Sequence, residues 1–319
     1  MIVALAGGVG GAKLAHGLYA SLDTGALTVV VNTADDFDLY GLRIMPDADT
    51  VLYTLAGVAN PDTGWGVAGD TFESLAMLKR YGEDTWFWLG DRDLATHILR
   101  TQRLREGWTP TRVLASFAQA LGVRATLLPM CDEQVATYVR TPEGELAFQD
   151  YFVRRHHADA VLSVRFAGIE QAVVPDAVKT SLRDAEAIVF CPSNPVVSIG
   201  PILGVPGMRE RIRAASAPKV AVSPIVGGHA LRGPADRMLG GLDVEVSPFG
   251  VASLYQALLD GIVIDRSDEQ TRERIEALGM RVLVTDAVMR DEEDRRRLAS
   301  EVLAFARVLR AERREGGTQ

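Results

Sequence analysis

The chain has 319 residues, 47% of them apolar, and a formal net charge of −8. At about 150 residues per domain, that length allows one large or two moderate domains with a substantial core. The acidic balance argues against non-specific binding to nucleic acid or to an acidic membrane, so a site for phosphates has to be basic locally.

Ile2 to Ala6 reads as a strand. The start Met1-Ile2-Val3 enters it with no charged leader and no long apolar run, so neither a signal peptide nor a membrane span is expected. Gly7, Gly8, Gly10 and Gly11 follow, and Lys13 to Leu22 reads as a helix with Leu14, Leu18 and Leu22 on one face. Strand, glycine turn and helix together suit a phosphate. Glycine lets backbone N–H groups approach it, and the helix start adds positive partial charge. A turn with no ligand needs only one or two glycines. The ligand is not named by the motif. A G-x-G-x-x-G pattern begun at Gly8 and Gly10 meets Lys13 at its third position, and Ala12-Lys13-Leu14 replaces the Gly-Lys-Ser/Thr of a Walker loop. Lys13 is either a point charge for the phosphate or a solvated surface lysine.

Leu27 to Val31 is apolar on both faces, as in a covered parallel sheet. It ends in Asn32-Thr33-Ala34-Asp35-Asp36. A nicotinamide site wants an acid at the end of this strand for the ribose hydroxyls, and here Asn32 stands there. Adjacent carboxylates in such a loop suit a hard cation such as Mg²⁺ bound together with phosphate oxygens; the plain alternative is a solvated acidic turn. A helix is expected over Thr50 to Leu55, with Asp49 as its N-cap.

Asn60 to Gly69 reads as a surface loop and Phe72 to Tyr81 as a helix. Thr85 to Leu89 reads as a third strand, running into Gly90-Asp91-Arg92-Asp93 and a helix from Leu94 to Leu104. Arg92 pairs either with a ligand phosphate or ring carbonyl, or locally with Asp91 or Asp93. Thr111 to Leu121 is an amphipathic helix and Ala125 to Leu128 a strand. From about residue 130 to 180 the texture changes. Pro142-Glu143-Gly144 between two β-rich runs signals a hairpin, Phe152 to Ala158 reads as a short helix, and Val161 to Phe166 alternates like an antiparallel strand. His156 and His157 have no third ligand at metal spacing and read as surface.

Ala187 to Phe190 is a buried strand ending in Pro192-Ser193-Asn194-Pro195. A helix near Met208 to Ala215 and a strand over Lys219 to Val222 follow, the latter ending in Ser223-Pro224-Ile225-Val226-Gly227-Gly228. Then come strand Val244 to Val246, helix Val251 to Leu259, strand Ile262 to Asp265, helix Glu269 to Leu278, strand Arg281 to Thr285 and a terminal helix, Asp291 to Arg313, with a polar tail. Cys131 and Cys191 lie far apart and form no metal motif, which suits a reducing, cytoplasmic setting.

The pattern predicts an α/β fold: a Rossmann-like, mostly parallel sheet with helices on both faces, plus an inserted smaller α+β subdomain. Residues 1–129 and 181–319 make the catalytic core and residues 130–180 the insertion. Five strand ends, at 7–11, 32–36, 90–93, 192–194 and 223–228, carry glycines or polar side chains and are expected on one sheet edge, as a single composite site. A glycine cradle, paired acids and scattered Arg, Lys, Ser and Asn fit Mg²⁺-dependent phosphoryl-type transfer on a nucleotide-like substrate, where the protein positions groups and neutralises charge.

These motifs, taken in order, resemble the 2-phospho-L-lactate transferases of coenzyme F-420 synthesis. The likeness rests on Ala6-Gly-Gly-Val-Gly-Gly-Ala-Lys13, Asn32-Thr-Ala-Asp-Asp36, Pro46-Asp-Ala-Asp-Thr50, Tyr53-Thr-Leu-Ala-Gly57 and Leu89-Gly-Asp-Arg-Asp-Leu-Ala-Thr-His97. It continues through Ser193-Asn-Pro195, Ser198-Ile-Gly-Pro201, Ser223-Pro-Ile-Val-Gly-Gly228 and Gly233-Pro-Ala235. Ala34 stands where the family usually has glycine. The resemblance implies that the terminal ribityl hydroxyl of the deazaflavin Fo attacks a guanosine-diphospho-linked three-carbon acid and that GMP leaves, with Mg²⁺ required. It implies Asp35 and Asp36 as metal acids, Asp35, Asp36 and Asp49 as catalytic residues, Asp49 and Arg92 toward Fo, and Asp91 in substrate binding. Gly8, Gly10, Gly11, Lys13, Asn32, Ser193, Asn194, Gly227 and Gly228 fall to substrate binding. A homodimer is a family-level expectation. Two other classes fit parts of the pattern: an NAD(P)-dependent oxidoreductase, and a non-catalytic guanine-nucleotide-binding protein.

Overall fold

Seven short runs of buried, mostly β-branched residues form one parallel sheet in the computed structural model, which describes residues 1–316. They are β1 (Ile2–Ala6), β2 (Leu27–Val31), β3 (Thr126–Pro129), β4 (Ala187–Phe190), β5 (Lys219–Val222), β6 (Gly261–Asp265) and β7 (Arg281–Thr285). Their order is β3-β2-β1-β4-β5-β6-β7. The register sets Ile2 opposite Leu27 on one side and Ala187 on the other. The order grows outward from β1 in two directions, so the topological switch lies between β1 and β4, where ligands sit beyond the strand C-termini. The expected α/β, Rossmann-like fold is the one observed.

Alternate residues of each strand feed two cores. Val3, Leu5, Ile188 and Phe190 face one side, with Val178 and Leu182 of α6 (Asp176–Arg183) and Met208 and Ile212 of α8 (Met208–Ala214). Ile2, Ala4, Val29 and Val31 face the other. There they meet α1 (Gly8–Ser21), α2 (Pro46–Leu55), α5 (Pro110–Ala120) and the terminal α12 (Glu292–Gly316) through Leu14, Val51, Phe117 and Leu298. The remaining helices are α3 (Glu73–Arg80), α4 (Asp91–Arg105), α7 (Ile199–Gly204), α9 (Ala235–Gly241), α10 (Pro248–Leu254) and α11 (Arg272–Glu276). Local signals explain several starts. Thr109 caps α5 by accepting from Arg112 N at 3.2 Å, with Pro110 at its first position.

Between β3 and β4 the chain forms a separate antiparallel sheet, in which Ala136–Thr141 is flanked by Gly144–Ala147 and Ser163–Ala167. The hairpin at Pro142-Glu143 is as expected, whereas Phe152 to Ala158 gives only a turn of wide helix, Asp150–Arg154. Val139, Phe148, Tyr151 and Val161 of this segment pack with Val197 and Met238 of the main body.

Two expected strands do not form. Thr85 to Leu89 is irregular: Trp86 and Phe87 pack on Phe37 with ring centroids 5.9 and 4.9 Å away, so the aromatics serve packing instead of a ladder. Val244 to Val246 is a turn held by Val244 N donating to Leu239 O at the end of α9. A short hairpin, Phe37–Leu39 with Leu42–Ile44, was not anticipated. The residues beyond the terminal helix lie outside the described chain. Among the described residues no helix is long and apolar enough to cross a membrane.

Candidate active site

The expected glycine loop is the first turn of a helix: α1 begins at Gly8, five residues before Lys13. A Cβ on Gly10 would run into the Pro192 carbonyl, and one on Gly11 into the Ser193 hydroxyl and Ala6. The start of α1 therefore lies directly on the turn after β4, backbone against backbone. Ser193 Oγ fastens the two, accepting from Gly7 N at 3.0 Å and donating to Gly7 O at 2.9 Å. Gly7 has no side chain to cap α1 and no acid of the helix lies in its first turn, but the Asp47 carboxylate of α2 lies against Gly7 and draws on the Gly8 N–H, leaving the later N–H groups of that turn without intrahelical partners.

Beside it stands the loop after β2. Asn32 is fully buried and donates from Nδ2 to Asp35 Oδ2 (3.1 Å), Asp47 Oδ2 (2.9 Å) and Val197 O (3.2 Å). Its Oδ1 accepts from Ala34 N at 3.0 Å. One amide thus serves three acceptors with two hydrogens. Burial, with Asp47 adding its charge, pushes the Asp35 carboxyl well above the usual range. Burial likewise raises Asp47 to about 6, against the pull of Asn32 and the Gly8 N–H. Burial raises Asp36 strongly too, although Arg43 (3.8 Å away) and Arg100 oppose it. Asp35 Oδ1 and Asp36 Oδ1 are buried without a hydrogen-bond partner. Orphaned buried carboxylate oxygens are costly, and oxygen ligands of this kind fit a hard divalent cation. A cavity of about 550 Å³ opens beside Asp36, lined also by Thr33, Arg43, Arg105, Trp108 and Cys131.

Asp49 is not an N-cap. Met45 occupies that position, Pro46 opens α2, and Asp49 lies in the first turn with its side chain turned inward. Arg100 of α4, 1% exposed, pairs with both its oxygens, Nη1 reaching Oδ2 at 3.0 Å and Nη2 reaching Oδ1. Arg100 Nη1 also lies 3.1 Å from His97 Nδ1. A guanidinium only donates, so Nδ1 accepts and the ring proton sits on Nε2, 3.3 Å from Asp93 Oδ1. Tyr53 donates its hydroxyl to Asp93 Oδ1 at 2.8 Å. Burial would raise Asp93, but His97, Tyr53 and Arg100 together hold it below its usual value. Asp49, Asp93 and His97 stand close enough for a metal ion. Arg100 already supplies positive charge to Asp49 and Asp93, as Arg43 does in part to Asp36.

The other expected site residues are dispersed around this centre. Lys13 donates to Met289 O at 2.8 Å, and burial lowers its pKa. Asp91 accepts from Thr71 Oγ1, Glu73 N and Ser74 N, which caps α3 and holds its carboxyl well below the usual range. Arg92 donates to Ala68 O at 2.9 Å instead of pairing with Asp91 or Asp93. Asn194 Oδ1 accepts from Val196 N and Val197 N. Gly227 and Gly228, both at positive φ, turn the small hairpin between Ile225–Val226 and His229–Ala230. Since 90–93 follows no strand, four polar strand ends, not five, meet at the sheet edge.

Sequence reading passed over Asp47, Arg43, His97 and Arg100. The last two had a signal: Asp93, His97 and Arg100 are spaced by four and three, which puts them on one face of a helix.

Residues 2–304 match the family model described as 2-phospho-L-lactate transferase CofD. A phosphoenolpyruvate transferase of Kitasatospora aureofaciens is 42% identical over 316 residues, covering 97% of this chain and 98% of that protein. A 2-phospho-L-lactate transferase of Methanosarcina acetivorans is 39% identical over 304 residues, covering 95% and 98%. In fold, the chain is similar to a crystal structure of a upf0052-family protein from Bacillus halodurans, at TM-score 0.66, 15% identity, and 95% and 98% coverage. The chain belongs to the 2-phospho-L-lactate transferase CofD family.

Proposed function

We propose that this protein transfers a phospholactyl or phosphoenolpyruvyl group from a guanosine-diphospho-linked donor to the deazaflavin Fo, with Mg²⁺, releasing GMP in the synthesis of coenzyme F-420. The observation that carries this reading is the pair of orphaned, buried oxygens on Asp35 and Asp36, in the loop that Asn32 and Asp47 join to the glycine-rich start of α1. A cation and a phosphate are the natural partners of those two features.

In this reading Asp35 and Asp36 hold Mg²⁺, with Asp47 supporting Asp35 through the shared Asn32 amide. When bound, the ion neutralises phosphate oxygens and leaves the phosphorus open to attack. The first turn of α1 takes the donor diphosphate, with Lys13, Ser193, Asn194 and the Gly227-Gly228 turn around it. The Fo hydroxyl reaches the centre through the cavity beside Asp36. Its oxygen forms the new bond to the phosphorus nearest the three-carbon acid, and the bond from that phosphorus to the GMP oxygen breaks on the opposite side. Asp36 takes the hydroxyl proton through whichever of its oxygens does not face the ion. Asp49, tied to Arg100, orients α2 and takes no proton. Arg92 holds Fo, while Asp91 keeps the start of α3 in place beside it. The protein works as a cytoplasmic homodimer in this reading.

The test is GMP release from purified protein mixed with Fo and Mg²⁺ and, in separate reactions, the lactyl and enolpyruvyl guanosine donors. Fo-dependent GMP from either donor is the expected result and identifies the preferred acid. Fo binding with no GMP from either donor would leave a binding protein instead.

A further inference from the structure

The segment between β3 and β4 reaches into the acidic loop at two consecutive residues, with Thr137 from its three-stranded sheet and Gln149 from the helical turn that follows Gly144–Ala147. Thr137 N donates to Ala34 O at 2.7 Å, and Gln149 Nε2 donates to Asp35 O at 3.2 Å. Both residues are buried, Thr137 at 3% and Gln149 at 6% exposure. The Ala34 methyl is buried in the core beside Cys131 and Val135, where the segment leaves β3. The loop is thus gripped from two directions: by Asn32 from the parallel sheet, and by Thr137 and Gln149 from this segment.

The Thr137 side chain adds a second observation. Its Oγ1 is buried without a hydrogen-bond partner, and so is Asp35 Oδ1, on the residue after the carbonyl that Thr137 N holds. A buried hydroxyl and a buried carboxylate oxygen on adjoining segments thus both have bonding capacity in hand. Packing explains a valine at this place as well as it explains a threonine.

We infer that the segment between β3 and β4 is a positioning device for the acidic loop, with Thr137 and Gln149 as its positioning residues. This rests on the reading of Asp35 as a cation ligand. When Asp35 ligates the cation through one oxygen, the Thr137 hydroxyl donates to the carboxylate and fixes its rotamer, while Gln149 fixes the backbone beneath it. Groups that orient a metal ligand in this way commonly change affinity by about 10- to 100-fold when removed.

Calorimetric titration with Mn²⁺ alone, without donor or acceptor, tests the inference on wild type, Thr137→Val, Thr137→Ser and Gln149→Leu, with a thermal melt of each. Thr137→Val keeps the shape and removes the hydroxyl. It is expected to weaken Mn²⁺ binding by about 10-fold or more with an unchanged melt, Gln149→Leu in the same direction, and Thr137→Ser to retain wild-type affinity. Equal Mn²⁺ affinity in wild type and both non-polar variants overturns the inference and leaves the cation site standing. Equal loss in Thr137→Val and Thr137→Ser overturns it too, because the hydroxyl then has no part. Mn²⁺ that does not bind wild type removes the cation site and this inference with it.

Discussion

Arg100 reaches both carboxylate oxygens of Asp49, and neither side chain touches solvent to any extent. The pair ties α4 to α2, and polar contacts continue from it through His97 to Asp93 and Tyr53. Removing one partner strands the other as a buried charge. Arg100→Met is expected to lower unfolding free energy by about 3–5 kcal/mol in urea melts. Adding Asp49→Leu should recover much of that loss, since the double variant buries no lone charge. Additive losses in the double variant would mean that the pair is not coupled.

The close approach of α1 to the turn after β4 makes a second prediction. Gly10→Ala drives a Cβ into the Pro192 carbonyl, a backbone atom with little room to move. The cost should be about 1–3 kcal/mol. Gly240→Ala in α9 meets only an ordinary contact with Val246 and should be neutral or slightly stabilising. Parallel denaturant melts of the two variants check the contrast.

Asp47 gives a pH dependence of definite sign. Its carboxyl is raised to about 6 in the folded protein, against about 4 in an unfolded chain. Between those values the folded state holds the extra proton. The contribution is therefore complete below pH 4 and is lost as pH rises toward 6. Asp35 and Asp36, also raised by burial, act in the same direction. Measured against Asp47→Asn in cation-free buffer, wild type should lose stability from pH 4 to 6. Added Mg²⁺ should stabilise wild type more at pH 7.5 than at pH 5, because it binds the deprotonated acids. Urea midpoints at these pH values, with and without Mg²⁺, are the measurement.

Much of the fold was legible because the central strands are buried on both faces. β1, β2, β4 and β5 read as almost wholly apolar runs, and their edges came out as expected. Thr85 to Leu89 has the same β-rich composition and forms no strand, since its aromatics find Phe37 as a partner before any ladder. Composition marks a wish to be buried, and pairing decides how it is met. In the site, Asp35 and Asp36 stood out as adjacent acids after a strand. Asp47 did not, because its role depends on Asn32, 15 residues away, presenting one amide to two carboxylates. The Asp49 ion pair was hidden for a like reason: Arg100 lies 51 residues further on. The spacing of Asp49 suggested a cap, and only the packing of α4 against α2 turns it inward.

The most direct test of the central claim is Fo-dependent GMP release by Asp35→Asn. The substitution keeps the size of the side chain and its place beside the Asn32 amide, and removes the charge that a cation needs. Turnover is expected to fall at least about 100-fold with little change in the thermal melt. An Asp35→Asn protein that releases GMP at the wild-type rate, with Mg²⁺ still required, would contradict the assignment of the cation to the loop after β2.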